Sequence, residues 1–287
     1  MKGIAFLFAV VGGMALLLLP FGGSVRADQE AVVGISGGSG DGPQYRSIDD
    51  LPANIRQRVD ELYAARNRKF TSLDGVVPEF SVAEVNVAEA VAKLSNEHNV
   101  LCGIEVVPWP ADPKKLSGFT LQKVSLCLRN ATPRQILNNL VLLDPTFAWV
   151  EDRGIANVVM RQALESPTYP LNIRLPAFHA KGRPYSTVFV GEPPSLLGLA
   201  EIVDRIAIGT VAGWPREFEP PVTVDAVNAT PRQIINQVAR ELGMSWTVVW
   251  MGTDPDQTGR PWAHLFMVPH IEIAGPLRSG SNTLPQK

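Results

Sequence analysis

Seven consecutive residues, Asn130 to Ile136, return unchanged as Asn228 to Ile234, 98 positions downstream. The likeness extends upstream, where Val124-Ser125-Leu126-Cys127-Leu128-Arg129 is answered by Val222-Thr223-Val224-Asp225-Ala226-Val227. Seven identities in a row are remote as chance, so the chain uses one supersecondary unit twice or holds two under one constraint. Each shared position has a physical role. Val124, Leu126 and Leu128 alternate with other residues, as Val222, Val224 and Ala226 do, which predicts a strand with one buried face. Thr132 and Thr230 can cap a helix through their hydroxyls, and Pro133 and Pro231 take the first helical position, which needs no N–H. Gln135 and Gln233 stand three residues past the cap and complete a capping box. Ile136, Leu137, Leu140 and Leu143 then form one apolar stripe, and Ile234, Ile235, Val238 and Leu242 its counterpart.

The repeat continues past these helices. Trp149 and Trp246 each open a hairpin whose second strand is Ala156 to Met160 or Ala263 to Met267. The first turn is Glu151 to Gly154, and the second is the longer loop from Gly252 to Pro261. Upstream, Phe80, Val82 and Val85 predict a strand before a helix capped by Asn86, with Glu89 three residues on. In the second copy Tyr185 to Val190 reads as the equivalent strand. Ser195 there opens a helix with Leu196, Leu199, Val203 and Ile206 on one face. The expectation is an α+β fold of two tandem βαββαββ-like modules, residues 76–163 and 183–272. Residues 164–182 connect them, with Tyr169 to Pro176 as an extended connector or edge strand. The 273–287 tail is expected to be disordered.

The N-terminal segment reads as an address. Lys2 supplies a positive start, Gly3 to Pro20 is apolar, and Val25-Arg26-Ala27 offers small or branched residues before a cut at Asp28. An uncleaved membrane anchor is the competing reading, because Ile4 to Gly22 approaches the ~20 residues that span a bilayer. A secretory signal peptide over residues 1–27 is expected, which makes the protein periplasmic or secreted and its compartment oxidising. Residues 28–75 follow as a linker, glycine-rich from Gly34 to Gly42, with a short helix from Leu51 to Arg68. Leu51, Ile55, Val59 and Leu62 give that helix its stripe. Across the whole chain 26 basic residues face 28 acidic ones, for a formal charge of −2. No nucleic-acid partner is expected of such a balance.

A Val-x-Leu-x-Leu strand, then Asn-Ala-Thr-Pro-Arg-Gln, an amphipathic helix and an aromatic strand together resemble the short N-terminal domain of secretins and TonB-dependent receptors. The resemblance covers Lys123–Met160 and Pro221–Met267. It implies small periplasmic units that make protein–protein contacts, in rings or with signalling partners. No stretch resembles that family's pore-forming or barrel domain.

Residues able to carry chemistry are scattered. Cys102 and Cys127 are the only cysteines. Bridged, they would add about 3 kcal/mol in the chain-entropy model; the other reading is two buried thiols. His98, His179, His264 and His270 lack metal-ligand spacing. The loop from Asp254 to Gly259 begins like a calcium loop, but Leu265 stands where its twelfth-position Glu belongs. Asn130 and Asn228 fit the glycosylation pattern, for which helix capping nearby is a sufficient cause. No cofactor motif occurs, and none is expected. Trp109 and Trp214, each followed by Pro, read as loop-mouth residues. Exposed, they would hold a peptide or glycan; buried, they would plug the module ends. Arg134 and Arg232 occupy the first helical turn, where a cation is electrostatically disfavoured. Their repetition suggests a contact with an acidic side chain of the same module, or recognition of a partner. The leading expectation is thus a non-enzymatic interaction or structural module of the cell envelope, whose partner is another envelope protein or a second copy. A hydrolase or glycan-processing enzyme with Glu105, Asp225 and Glu241 in a cleft between modules is the alternative.

Overall fold

The computed structural model describes residues 47–110, 120–189, 195–199, 202, 207–210, 218–253, 261–269 and 271. The leader, residues 28–46, Trp214, His270 and the 273–287 tail lie outside them. Helix α1 (Ala53–Ala65) is shorter than its stripe predicts. Leu51, Ile55 and Val59 pack with Ile48 and Phe218 in a small cluster, while Leu62 joins the main core.

The chain then runs β1 (Val77–Asn86), α2 (Val87–His98), β2 (Cys102–Val106), β3 (Lys123–Ala131), α3 (Pro133–Leu143), β4 (Phe147–Asp152), β5 (Ile155–Met160) and a short α4 (Arg161–Glu165). After a 3-10 turn at Pro170–Asn172 it continues with β6 (Leu175–Pro184), α5 (Tyr185–Phe189), β7 (Ala207–Thr210), β8 (Pro221–Ala229), α6 (Pro231–Leu242), β9 (Ser245–Thr253) and β10 (Pro261–Val268). The fold is mixed α+β.

Local chemistry recurs at the repeat offset in atomic detail. Thr132 N–H donates to Gln135 Oε1 at 2.9 Å, and Thr230 N–H to Gln233 Oε1 at 2.9 Å. The return bonds reach Thr132 Oγ1 at 3.2 Å and Thr230 Oγ1 at 3.3 Å. Asn130 and Asn228 have φ of 49° and 52°, a left-handed conformation that Asn tolerates better than most L residues. That explains the repeated Asn more directly than capping does. Each ribbon strand also bulges at the offset: Glu84 (φ 53°) and Gly182 (φ 60°) donate their N–H groups to Ser125 Oγ at 3.0 Å and Thr223 Oγ1 at 3.1 Å. Finally, the indole of Trp149 donates to Asn138 Oδ1 at 2.9 Å and that of Trp246 to Asn236 Oδ1 at 2.8 Å.

The second copy departs from expectation at its start. Tyr185 to Phe189 is helix, not strand, and the strand before it is β6, which occupies much of the expected connector. The β-branched and aromatic run Tyr185-Ser186-Thr187-Val188-Phe189 carries strand propensity, but tertiary context overrides it. Glu219, buried and distant in sequence, accepts the Ser186 N–H at 3.0 Å, doing what Asn86 does for α2. Pro184, at the position of Asn86, has no side-chain acceptor to offer. The helix expected from Ser195 is a 3-10 turn, Leu196–Gly198, within the described residues.

Three sheets result. β1 pairs antiparallel with β3, and β6 with β8, as two-stranded ribbons. The centre is a six-stranded sheet in the order β4-β5-β2-β9-β10-β7. β2 and β9 meet in parallel, Gly103 opposite Trp246, so strands from the two copies form one sheet over one continuous core. The copies enter it inverted. β2, β5 and β9 point one way; β4, β10 and β7 point the other. Register parity puts Trp149 and Trp246 on opposite faces, so α3 and α6, which hold their indoles, cover opposite sides. Both faces are thereby buried, which accounts for a β5 without one exposed residue.

Gly103 marks the closest approach in the seam. A Cβ there would lie 2.5 Å from the Trp246 ring and 2.7 Å from Asn157 Oδ1. Gly103→Ala is expected to cost about 1–3 kcal/mol of unfolding free energy. A lower urea midpoint at unchanged slope is the readout; a wild-type midpoint would mean that the strands do not meet there.

Candidate functional site

A buried polar cluster spans the seam. Glu105 on β2 is fully buried, and Arg232, in the first turn of α6, is 7 % exposed. Arg232 Nε donates to Glu105 Oε1 and Nη2 to Glu105 Oε2 at 3.0 Å, a two-pronged pair. Its Nη1 donates to Asn172 Oδ1 at 2.7 Å. The Asn172 amide in turn holds the carbonyls of Ala163 and Leu164 at 2.9 Å and Ser166 at 2.7 Å. One guanidinium thus ties α6 of the second copy to β2 of the first and to the segment joining them. Asn236 adds a second tie, donating to Asp152 Oδ2 at 2.8 Å while accepting from Trp246.

Electrostatics fit a clamp. Burial alone would pull the Arg232 guanidinium down, but the Glu105 carboxylate more than offsets it and Arg232 titrates above its ordinary value. Tyr169 lies beside the pair, its hydroxyl buried and short of a hydrogen bond. Burial first, then the Glu105 charge, push that phenol well above its usual range. Both Glu105 oxygens are engaged and none of the side chain is accessible, so this carboxylate serves as the buried partner of a cation. The signal in the sequence was a lone acid within the apolar run from Leu101 to Val107.

The first copy uses the equivalent arginine differently. Arg134 lies at the surface, donating to Asp74 Oδ1 and to Glu151 Oε2, both at 2.8 Å. Its guanidinium carbon sits 5.6 Å from the Trp149 ring centroid, within cation–π range. Hydrogen bonds to Asp74 and then Glu151 raise its pKa, and the Asp74 carboxyl is held down by the same bond. The expected acidic partner in the same module is therefore met by Arg134 through Glu151. For Arg232 it is not: its partner belongs to the other copy.

The remaining candidates fall apart in space. Trp109 is 8 % exposed, donates to Thr168 Oγ1 at 3.2 Å and stacks edge-on against Tyr169, so it plugs the fold instead of presenting a surface. Trp214 lies outside the described residues. Asp225 is exposed on β8 and pairs with His179 Nδ1 at 2.7 Å, while Glu241 faces Arg66 at 3.6 Å. The structure therefore does not bring Glu105, Asp225 and Glu241 together. Burial lowers the His264 pKa. Cys102 and Cys127 are free thiols, one buried in the central sheet and the other exposed on the β1–β3 ribbon. The bridge between them is absent because their strands are not neighbours. Among the described residues no cluster of three or more His, Cys, Asp or Glu could hold a metal, and no helix is long and apolar enough to cross a membrane. One shallow concavity, of about 490 Å³, follows a single face of α1. No protein-family model, curated protein or solved structure matches this chain.

Two expectations follow. Arg232→Met leaves Glu105 charged and buried, and should cost about 3–5 kcal/mol, with Glu105→Met added to it recovering most of the loss. Arg134→Met should cost far less, because its pairs are solvated. Equal losses in urea unfolding would refute the clamp. Burial pushes the Cys102 thiol up to about 12. Raised in the folded state, it contributes stability that is complete below about pH 9 and declines as pH rises towards 12. Cys102→Ala should flatten that decline, and a thiol reagent at neutral pH should label Cys127 at once and Cys102 only on unfolding.

Proposed function

We propose that the chain is an exported, non-enzymatic interaction or structural module of the bacterial cell envelope. It is built from two tandem βαββαββ-like copies resembling the short N-terminal domain of secretins and TonB-dependent receptors. The observation that carries this reading is what the duplication preserves: a capping box, a left-handed Asn, a strand bulge and an indole–amide bond, each present twice. All four shape backbone or fix packing. An acid, nucleophile or ligand set is not among them. Of the four residues read as partner-binding, Arg134 keeps an exposed position, beside the half-buried Trp149 at the outer strand of the sheet. Trp109 and Arg232 are packing and clamp residues. The partner is a second copy or another envelope protein, and the signal peptide over residues 1–27 delivers the chain to it.

The test is in-cell cross-linking of tagged full-length protein, followed by fractionation and capture from envelope extract. A saturable protein adduct in the envelope fraction, weakened by Arg134→Glu, is the expected result. Recovery from the cytoplasm, or no adduct together with cleavage of peptidoglycan or peptide by the purified chain, would overturn the reading.

A further inference from the structure

Among the described residues the central sheet ends in two edge strands, each with one neighbour, that match the two strands joined at its middle. In the seam, β9 presents the backbone of Trp246 to β2, and the pairing is parallel. Trp149 on β4 is the counterpart of Trp246, down to its bond with the equivalent helix asparagine. β4 is an outer strand with one neighbour, β5. The Arg161 N–H bonds Thr146 O, and antiparallel alternation from that pair turns the N–H and C=O groups of Phe147, Trp149 and Glu151 away from β5. The Arg161 side chain occupies the Phe147 carbonyl at 3.1 Å, which leaves Trp149 and Glu151 as the open stretch among the described residues. At the other end β7 is the counterpart of β2: each follows its copy's first helix and lies parallel to the second hairpin strand, β10 or β5. It too has a single neighbour among the described residues.

Direction makes the match useful. β4 and β7 run the same way at opposite ends of the sheet. A second copy moved along the sheet without rotation therefore sets its β4 beside β7 in parallel, the same sense as β2 beside β9. Neither strand carries Lys, Arg or Pro, the usual blocks on an open edge. The only charges, Glu151 and Asp152 at the end of β4, are engaged by Arg134 and by Asn236.

We propose that the partner of this chain is another copy of itself, added head to tail by parallel pairing of β4 with β7, so that the internal seam is repeated between molecules. Such a contact uses two different edges and does not close on two copies, so assembly continues into a ring or fibre. The inference rests on the reading of the chain as an interaction module and names its partner.

One added cysteine at a time, in a Cys127→Ser background that keeps the buried Cys102, tests it, with full-length protein purified under reducing conditions. Val150→Cys marks β4; Ile208→Cys, Gly209→Cys and Thr210→Cys mark β7. Light scattering should show mass growing with concentration past the dimer. Mixing the β4 preparation with a β7 preparation, once the reductant is removed and a copper(II)-phenanthroline oxidant added, should give a disulfide dimer at one of the three positions. Val150→Lys, at an exposed site, should lower the association several-fold with an unchanged circular dichroism spectrum. A monomer at every soluble concentration, a 150–150 cross-link, or association without a 150–β7 cross-link would each overturn the proposal. A monomer that still captures a different envelope protein would overturn it while leaving the broader reading standing.

Discussion

Everything in this molecule is arranged around one parallel contact, that of β2 with β9. Without it each copy would own a three-stranded sheet with an open apolar edge, too small to bury both faces of its strands. With it, six strands share one core and helices from the two copies cover opposite sides. The side chains at the contact explain its specificity. Gly103 clears space for the Trp246 ring, and the Glu105–Arg232 pair lies two residues further along β2. Register is therefore set twice, once by shape and once by charge. A one-residue slip would put Glu105 on the face away from Arg232 and strand a buried carboxylate.

Inversion lets one arginine serve two purposes. Arg134 and Arg232 have the same neighbours in sequence and the same place in their helices, yet one is at the rim and the other at the centre. Because the copies enter the sheet in opposite orientations, the seam meets the second copy through its Trp strand and the first through its β2. The first turn of α6 consequently overlies β2, whereas that of α3 meets its own hairpin and the Leu73–Asp74 segment. The same residue becomes a clamp in one setting and a surface ion pair, laid over Trp149, in the other.

Much of the local structure was legible in the sequence, and the reasons are local. Thr132-Pro133-Arg134-Gln135 declares a helix start by hydrogen-bond geometry alone, and the structure contains it in both copies with matching bond lengths. Asn86 with Glu89 works in the same way. Legibility ended where a distant residue did the work. The run that forms α5 reads as strand because its cap, Glu219, is 33 residues downstream. Glu105 reads as a candidate acid because nothing nearby in sequence pairs with it; its partner is 127 residues away. Cys102 and Cys127 both lie on strands, as expected, but only topology could show that these belong to separate sheets.

The span between the two seam strands has its own consequence for how the chain matures. Cys102 and Ser245 are joined by a hydrogen bond across 143 residues. Whether it emerges from a ribosome or a translocation channel, β2 appears long before the strand that will cover it. Through that interval the first copy is a sticky half-product with a vacant groove over Gly103. Contacts so distant in sequence slow folding and lengthen exposure to wrong partners. The seam is then a timing problem as well as a structural solution: until β9 arrives, the best available occupant of that groove is the same strand of a neighbouring, more complete chain.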